Sequence, residues 1–530
     1  VTVSHEDARR ATESAASIVD LAVGRLADVG AEAQVVAHDV AHSAAGVAAC
    51  RSMLDYGEKG EAEALLASAL VADVVHELRG RMFGREDQWG ATPDALADVL
   101  PFVAAGRHPD LLSRVAAVDD GGPRHLGEDF TLVAETFRRF ADDRIAPVAE
   151  EIHRTNADVP EEVIDALAEL GCFGLSIPET YGGFASGGTH DLVGMVVATE
   201  ELSRGSLGIG GSLITRPEIL TRALLAGGTE EQKRRWLHRI ASGGAMVAVA
   251  VTEPDHGSDV ARIRTTARPA SAGGWLITGT KTWCTFAGRA EILMLLARTD
   301  PESNDHRGLS LFVIEKPARA GHAFHETQSE GPGPVGGQIQ GRAIDTIGYR
   351  GMHSYEVNLD DWWVPDHALI GQRAGIGRGF YLQMEGFENG RLQTAARAVG
   401  VMQAAYEAAS AYADDRVVFG RRLADFELTR AKLARMAVLI QSSRQFALAV
   451  ARDLGRGADD LGAAMVKAYA CRAAEWVTRE AMQIHGGMGY AEEYDVSRYF
   501  VDARVLSIFE GTDETLCLKV IIRRLIGASN

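Results

Sequence analysis

Met246-Val247-Ala248-Val249-Ala250-Val251, Gly274-Trp275-Leu276-Ile277-Thr278-Gly279 and Ile292-Leu293-Met294-Leu295-Leu296-Ala297 decide the fold class. These short apolar or alternating runs, separated by Gly, Pro and Asp, predict strands. Residues 309–314 and 354–359 continue the pattern, and Gly273-Gly274 suits a tight hairpin turn. On either side the apolar spacing is helical. Upstream it covers residues 6–84, with Ala62, Leu65, Leu66, Ala69 and Leu70 on one face, and then 127–240. Downstream it gives long helices over 390–415, 428–454, 463–484 and 512–526, which predict an antiparallel bundle. Helices, a block of strands and then helices again make an α+β chain rather than an alternating parallel-sheet one. The breakers Asp119-Asp120-Gly121-Gly122-Pro123 mark a linker. The expected domains are a helical extension (1–124), a helical domain (125–245), a β-barrel or sandwich domain (246–374) and a C-terminal helical bundle (375–530).

With 530 residues the chain exceeds what one hydrophobic core organises, and its 46% hydrophobic and 24% charged residues are globular values. A net charge of -19 argues against nucleic-acid binding, which needs a basic surface. No long apolar run or leader pattern suggests a membrane, so a cytoplasmic protein is expected. The five cysteines are scattered without CxxC spacing, so neither a disulfide framework nor a cysteine-bound zinc is expected. His38 and His42 stand one helical turn apart, as metal ligands can. Without a third ligand in view they read as an ordinary helix face, and no metal is expected.

Gly375-Ile376-Gly377-Arg378-Gly379 lacks the strand and βαβ context of a dinucleotide loop and reads as a lead into a helix. Val251-Thr252-Glu253-Pro254-Asp255-His256-Gly257-Ser258-Asp259 is a strand end followed by a turn rich in donors. By composition it is either a ligand-holding turn or a plain loop. Lys281-Thr282-Trp283-Cys284-Thr285 sets a tryptophan between hydroxyl residues on a strand, and such a tryptophan is usually core.

Thr252-Glu253-Pro254 with Gly257-Ser258-Asp259, Trp283-Cys284-Thr285, Arg416-Val417-Val418-Phe419-Gly420, Gln483-Ile484-His485-Gly486-Gly487-Met488-Gly489 and Phe509-Glu510-Gly511-Thr512 together resemble the acyl-CoA dehydrogenase family in order and spacing. The resemblance spans about residues 127–526. It implies FAD as cofactor, an acyl-CoA thioester as substrate and an electron-transferring flavoprotein as electron acceptor. It also implies that Val251, Thr252, Gly257, Ser258, Trp283 and Thr285 surround the flavin. Arg416 and Phe419 of one subunit, with Gln483, Gly486 and Gly487 of another, would hold the adenine half, which makes the chain a homodimer or homotetramer. Thr512 and Glu514 complete the expected cofactor set. Glu427 departs from the family pattern, which has glutamine near the pyrophosphate, so no contact is expected there.

The same resemblance makes Glu510 the base that removes the substrate's α-proton while FAD accepts the β-hydride, with its pKa raised by burial towards the working pH. From the residues alone, a carboxylate near a helix start needs no catalytic explanation. Gly390 leaves empty the position at which a subset of the family carries its base. Glu388, Arg391 and Ser258 match positions near the CoA portion, with exposed helix charges as the plain alternative, and Gly511 belongs to the substrate-binding set that the resemblance implies.

The extension, with Leu54-Asp55-Tyr56-Gly57, Ile214-Thr215-Arg216-Pro217-Glu218 and Gly390-Arg391-Leu392-Gln393-Thr394-Ala395-Ala396-Arg397, resembles the (2S)-methylsuccinyl-CoA dehydrogenase subgroup. That implies oxidation of methylsuccinyl-CoA to mesaconyl-CoA, whose free carboxylate requires a cation or several donors. Arg216 is the candidate partner, and a surface or capping arginine is the alternative. Other short or branched acyl-CoA specificities, an acyl-CoA oxidase and a flavin-free scaffold are the competing readings.

Overall fold

The computed structural model describes residues 3–30, 33–330 and 333–529. It divides into two compact units. The sheet unit comprises Arg139–Asp191 and Ser206–Gly390. The bundle unit takes the residues up to Arg138, Leu192–Gly205 and the chain from Arg391 onward.

In the sheet unit the strands are β1 (Val247–Ala250), β2 (Thr266–Pro269), β3 (Trp275–Thr285), β4 (Ile292–Arg298), β5 (Leu309–Glu315), β6 (Ala323–Thr327), β7 (Gln338–Ile344) and β8 (Ser354–Val364). They form one eight-stranded sheet in the order β1-β4-β2-β3-β8-β7-β6, with β5 pairing β4. β4 and β5 are apolar on both faces and buried throughout most of their length. Helices Ser212–Gly227 and Glu230–Ala241 add Leu220, Leu224, Trp236, Leu237 and Ile240 to the core they share with Ile292, Met294, Leu311 and Val313. Gly273 and Gly274 turn β2 into β3 with φ of 84° and 78°, which glycine adopts freely. β2, β6 and β7 carry polar residues on one side and were outside the predicted strands.

In the bundle unit the long helices are Gly379–Asp415 from Arg391 onward, Glu427–Gly455 and Leu461–His485, followed by Val496–Leu506. The first of these starts 11 residues before the predicted 390. Gly379, read as part of a lead, opens the helix, and a side chain at Gly386 within it would meet the Ile219 carbonyl at 2.7 Å. The predicted last helix is broken instead into a turn at Asp513–Thr515, a wide π-type turn over Leu516–Ile521 and Ile522–Ser529. The extension supplies His5–Val29, Gln34–Gly57 and Glu61–Met82 to this same unit. Its second helix packs on Glu427–Gly455 and Leu461–His485. Pro123 of the linker is held by Tyr56 and Gln441, which donate to its carbonyl at 2.8 and 2.7 Å. Arg444 is buried and donates to Glu200 at 2.9 Å, while Arg124 and Arg138 meet the fully buried Glu201. Among the described residues, no helix is long and apolar enough to cross a membrane.

Candidate active site

Two of the motif segments are fastened together in the sheet unit. The Glu253 carboxylate accepts from the backbone N–H of Arg264 (2.6 Å) and Thr265 (2.8 Å) and from Lys281 Nζ (3.0 Å). Lys281 Nζ also donates to the Val251 carbonyl at 3.0 Å, and Thr282 N–H to the Thr252 carbonyl at 2.9 Å. Burial pushes the Lys281 ammonium down to about 8, against the upward pull of Glu253. For Glu253, burial acts upward, but Lys281 and the two N–H donors outweigh it and hold the carboxyl below its usual range. Sequence reading gave neither residue a role.

This staple sets the backbone on which Trp283 and Thr285 stand. The β3–β8 register slips between Lys281 and Cys284, and Trp283 takes φ +57° within the slip. A bulge of that kind re-aims a side chain. Trp283 is 55% exposed where a core position was the ordinary expectation, while its neighbours Thr282, Cys284 and Thr285 are buried. Thr285 Oγ1 lies 3.0 Å from Ser354 Oγ.

Glu510 stands in the bundle unit, three residues before the helical turn that Thr512 caps through its hydroxyl. It therefore does not occupy the first turn of that helix, where Asp513 and Glu514 sit. Its φ is +55° and that of Gly511 is +97°. Non-glycine residues in this region are uncommon and cluster at functional sites. The side chain is 6% exposed and is held from the long helix by Thr394 Oγ1, donating to Oε2 at 2.7 Å, and by Arg397, donating to Oε1 at 2.8 Å. Arg397 has no exposed surface, also donates to Thr394 Oγ1 at 2.7 Å and lies 4.7 Å over the Phe509 ring. Lys467, buried and with its ammonium pushed down chiefly by desolvation, donates to the Gly511 carbonyl at 2.6 Å. Burial at Glu510 is thus accompanied by a guanidinium and a hydroxyl in direct contact with the carboxylate. Thr394 and Arg397 lay inside a quoted motif without a role, and their i, i+3 spacing on a helix was the available signal.

Sequence profiles described as "Acyl-CoA dehydrogenase, N-terminal domain", "middle domain" and "C-terminal domain" match residues 127–244, 248–362 and 377–526. The chain is 39% identical over 519 residues to "(2S)-methylsuccinyl-CoA dehydrogenase" of Cereibacter sphaeroides, covering 93% of this chain and 91% of that one. It belongs to the acyl-CoA dehydrogenase family. Its fold resembles that of a glutaryl-coenzyme A dehydrogenase bound to glutaryl-CoA (TM-score 0.69, 29% identity, 76% of this chain and 96% of that one). It also resembles the glutaryl-CoA dehydrogenase of Mycobacterium smegmatis in complex with FADH2 (TM-score 0.65, 26% identity, 76% and 95%).

An acyl-CoA dehydrogenase is an FAD-dependent oxidoreductase, and the residues here fit that cofactor. A Cβ at Gly257, Gly486 or Gly487 would meet open space, and Gly257 and Gly487 are not in left-handed backbone. Packing within the chain does not demand glycine at those two positions, and the open space there is what close approach by a bound cofactor would use. Phe419, 95% exposed, heads a two-residue hairpin turn with Gly420 (φ +49° and +80°). The hairpin follows Arg416 at the end of the long helix, and Tyr412 in that helix's last turn stacks on His485 with ring centroids 4.3 Å apart. This stack joins the helix end before Arg416 to the one that carries Gln483, Gly486 and Gly487. Ser258, Gln483 and Glu514 are exposed. Glu427 opens its helix, where an acid suits the dipole without any cofactor.

Of the expected substrate residues, Arg216 is neither at the surface nor a cap. It lies within helix Ser212–Gly227, is 6% exposed and donates to Tyr349 Oη at 3.1 Å. Glu388 is half-buried in the sheet unit. Arg391 is buried rather than an exposed helix charge and pairs with Asp460 at 3.2 Å in the bundle unit.

Proposed function

We propose that this acyl-CoA dehydrogenase converts (2S)-methylsuccinyl-CoA to mesaconyl-CoA, with Glu510 as the base. The observation that carries the catalytic half is the seating of Glu510 between Thr394 and Arg397 in left-handed backbone. A base must be ionised and oriented before substrate arrives, and a buried guanidinium with a hydroxyl donor does both. FAD, when bound, supplies the acceptor for the β-hydride. Glu510 takes the α-proton, which is only weakly acidic, as the thioester carbonyl gains negative charge.

The substrate reading rests on the similarity to a methylsuccinyl-CoA enzyme across nearly the whole chain, extension included, and on Arg216. A carboxylate entering a mostly apolar acyl pocket is unfavourable without a cation, and Arg216 with Tyr349 offers a buried one. An electron-transferring flavoprotein is the proposed electron acceptor, and a homodimer or homotetramer the proposed assembly.

Glu510→Gln should retain the yellow flavin yet lose its bleaching by substrate; bleaching at the wild-type rate would remove Glu510 as the base. For the substrate, the oxidised protein is mixed anaerobically with methylsuccinyl-, butyryl- and isovaleryl-CoA. Full reduction by the first and little by the others is expected, and preference for either of the others would overturn the assignment. Arg216→Met should then weaken methylsuccinyl-CoA turnover about 10- to 100-fold more than butyryl-CoA turnover, the loss of one charge-assisted contact.

A further inference from the structure

His38 and His42, one turn apart on helix Gln34–Gly57, meet Asp513 and Cys517, one turn apart just after Glu510. His38 Nε2 lies 3.1 Å and His42 Nε2 2.9 Å from the same Asp513 Oδ2, and His42 Nε2 is 3.5 Å from Cys517 Sγ. One donor atom from each of the four residues lies within 4.8 Å of every other. His42 and Cys517 are buried, and His38 and Asp513 are partly exposed, which leaves one side for an ion to enter.

An imidazole Nε2 offers either one N–H or one lone pair. With both rings donating to Asp513, hydrogen bonds hold the cluster, and Cys517 Sγ, 3.5 Å from His42 Nε2, is a weak partner at its edge. The same four atoms can instead each turn one lone pair towards a common metal centre, which makes full use of the thiol and of both rings. Zinc bonds of roughly 2.0–2.1 Å to N and O and 2.3 Å to S put tetrahedral neighbours about 3.3–3.7 Å apart. The 2.9, 3.1 and 3.5 Å spacings here lie close to that range, and all the donor atoms fall within 4.8 Å of one another. Two imidazoles and a thiolate select zinc over magnesium or calcium. Asp513 and Cys517 as anions neutralise the dication.

We infer that His38, His42, Asp513 and Cys517 form a structural zinc site that clamps the N-terminal extension to the segment following Glu510. Four protein ligands close the coordination sphere, so the ion has no open position for chemistry. The inference is independent of the substrate assignment.

The test is the zinc content of the full FAD-loaded protein, purified without an affinity tag or chelator and measured by inductively coupled plasma mass spectrometry. About one zinc per protomer is expected for a single four-ligand site. The His42→Ala/Cys517→Ser double variant should fall to background while keeping its FAD. Zinc retained by that variant would locate the metal elsewhere and overturn the assignment. If the variant fails to fold, the wild-type protein still decides. After chelation and addition of Co2+ it should develop tetrahedral cobalt bands to the red of the flavin spectrum. Zinc-free protein that takes up neither Zn2+ nor Co2+ leaves only a hydrogen-bonded cluster, and the inference fails.

Discussion

Lys281→Met isolates the staple beneath the flavin-side motifs. Lys281 has no exposed surface, and methionine keeps most of its stem while removing the charge and both donated bonds. Glu253 would keep the N–H donors of Arg264 and Thr265 but lose its counter-ion in a site where it is 6% exposed. Breaking one side of a buried pair costs about 3–5 kcal/mol. With two backbone donors left, the lower end applies, about 3 kcal/mol or roughly a hundredfold in the equilibrium between the fastened and the loosened loop. Flavin release in urea, followed by the rise in flavin fluorescence, measures this, and Lys281→Met should release FAD at clearly lower urea than wild type. The Glu253→Gln/Lys281→Met pair should recover most of the loss, because replacing both partners leaves no uncompensated charge. A single variant with the wild-type midpoint, or a double variant as weak as the single, would refute the claim that this ion pair seats Thr252 and Trp283.

The pH dependence of the same group has a definite sign. The folded value of about 8 lies below the unfolded 10.5, so the unfolded chain holds the extra proton between them and stability gains from Lys281 as pH rises through that window. The urea midpoint of wild type relative to Lys281→Met should therefore widen from pH 8 to 10, and a gap that narrows would contradict the burial argument. Thr394→Val removes the hydroxyl donor to Glu510, and flavin reduction in single-turnover stopped flow should slow about 10- to 100-fold with little change in substrate affinity. Gly511→Ala meets both φ +97° and Leu516 at 3.2 Å, and should lower bundle stability by about 1–3 kcal/mol in thermal denaturation. Phe419→Ala, at a 95% exposed position, should leave thermal stability within about 0.5 kcal/mol. It should nevertheless weaken FAD retention if a second subunit's cofactor covers that ring; unchanged retention would remove that role.

The strands that were legible in sequence are those buried on both faces, β1, β4 and β5, and the well-patterned parts of β3 and β8. β6 and β7, with His325, Glu326, Gln338 and Gln340 on one side, have too little apolar signal to separate from loop. The long helix was legible except for its start, because Gly375, Gly377 and Gly379 read as a flexible lead, whereas backbone of the sheet unit approaches Gly379 too closely for any side chain. Motifs singled out Glu510, Trp283 and Arg216 as candidates, but not what holds them. Glu253 to Lys281, Thr394 and Arg397 to Glu510, and Tyr349 to Arg216 are contacts between residues 28 to 133 positions apart. Periodicity carries no information at that range. The pairing of His38 and His42 with Asp513 and Cys517, 471 to 475 positions away, was equally out of reach.

The strain at Glu510 and the ligands around it are best understood as one device. Two successive left-handed residues turn the chain sharply at Glu510-Gly511, and for the glutamate this costs about 1–3 kcal/mol. Each charge-assisted bond that Thr394 and Arg397 make to its carboxylate contributes about 1.5–3 kcal/mol, and Lys467 fixes the Gly511 carbonyl behind the turn. These contacts together offset the strain and hold the turn in place. In the proposed role of base, Glu510 is held by these contacts in one orientation before substrate arrives. Gly390 sharpens the point, because the helix that grips the glutamate carries no acid at the rival position and contributes a hydroxyl and a cation one and two turns further on.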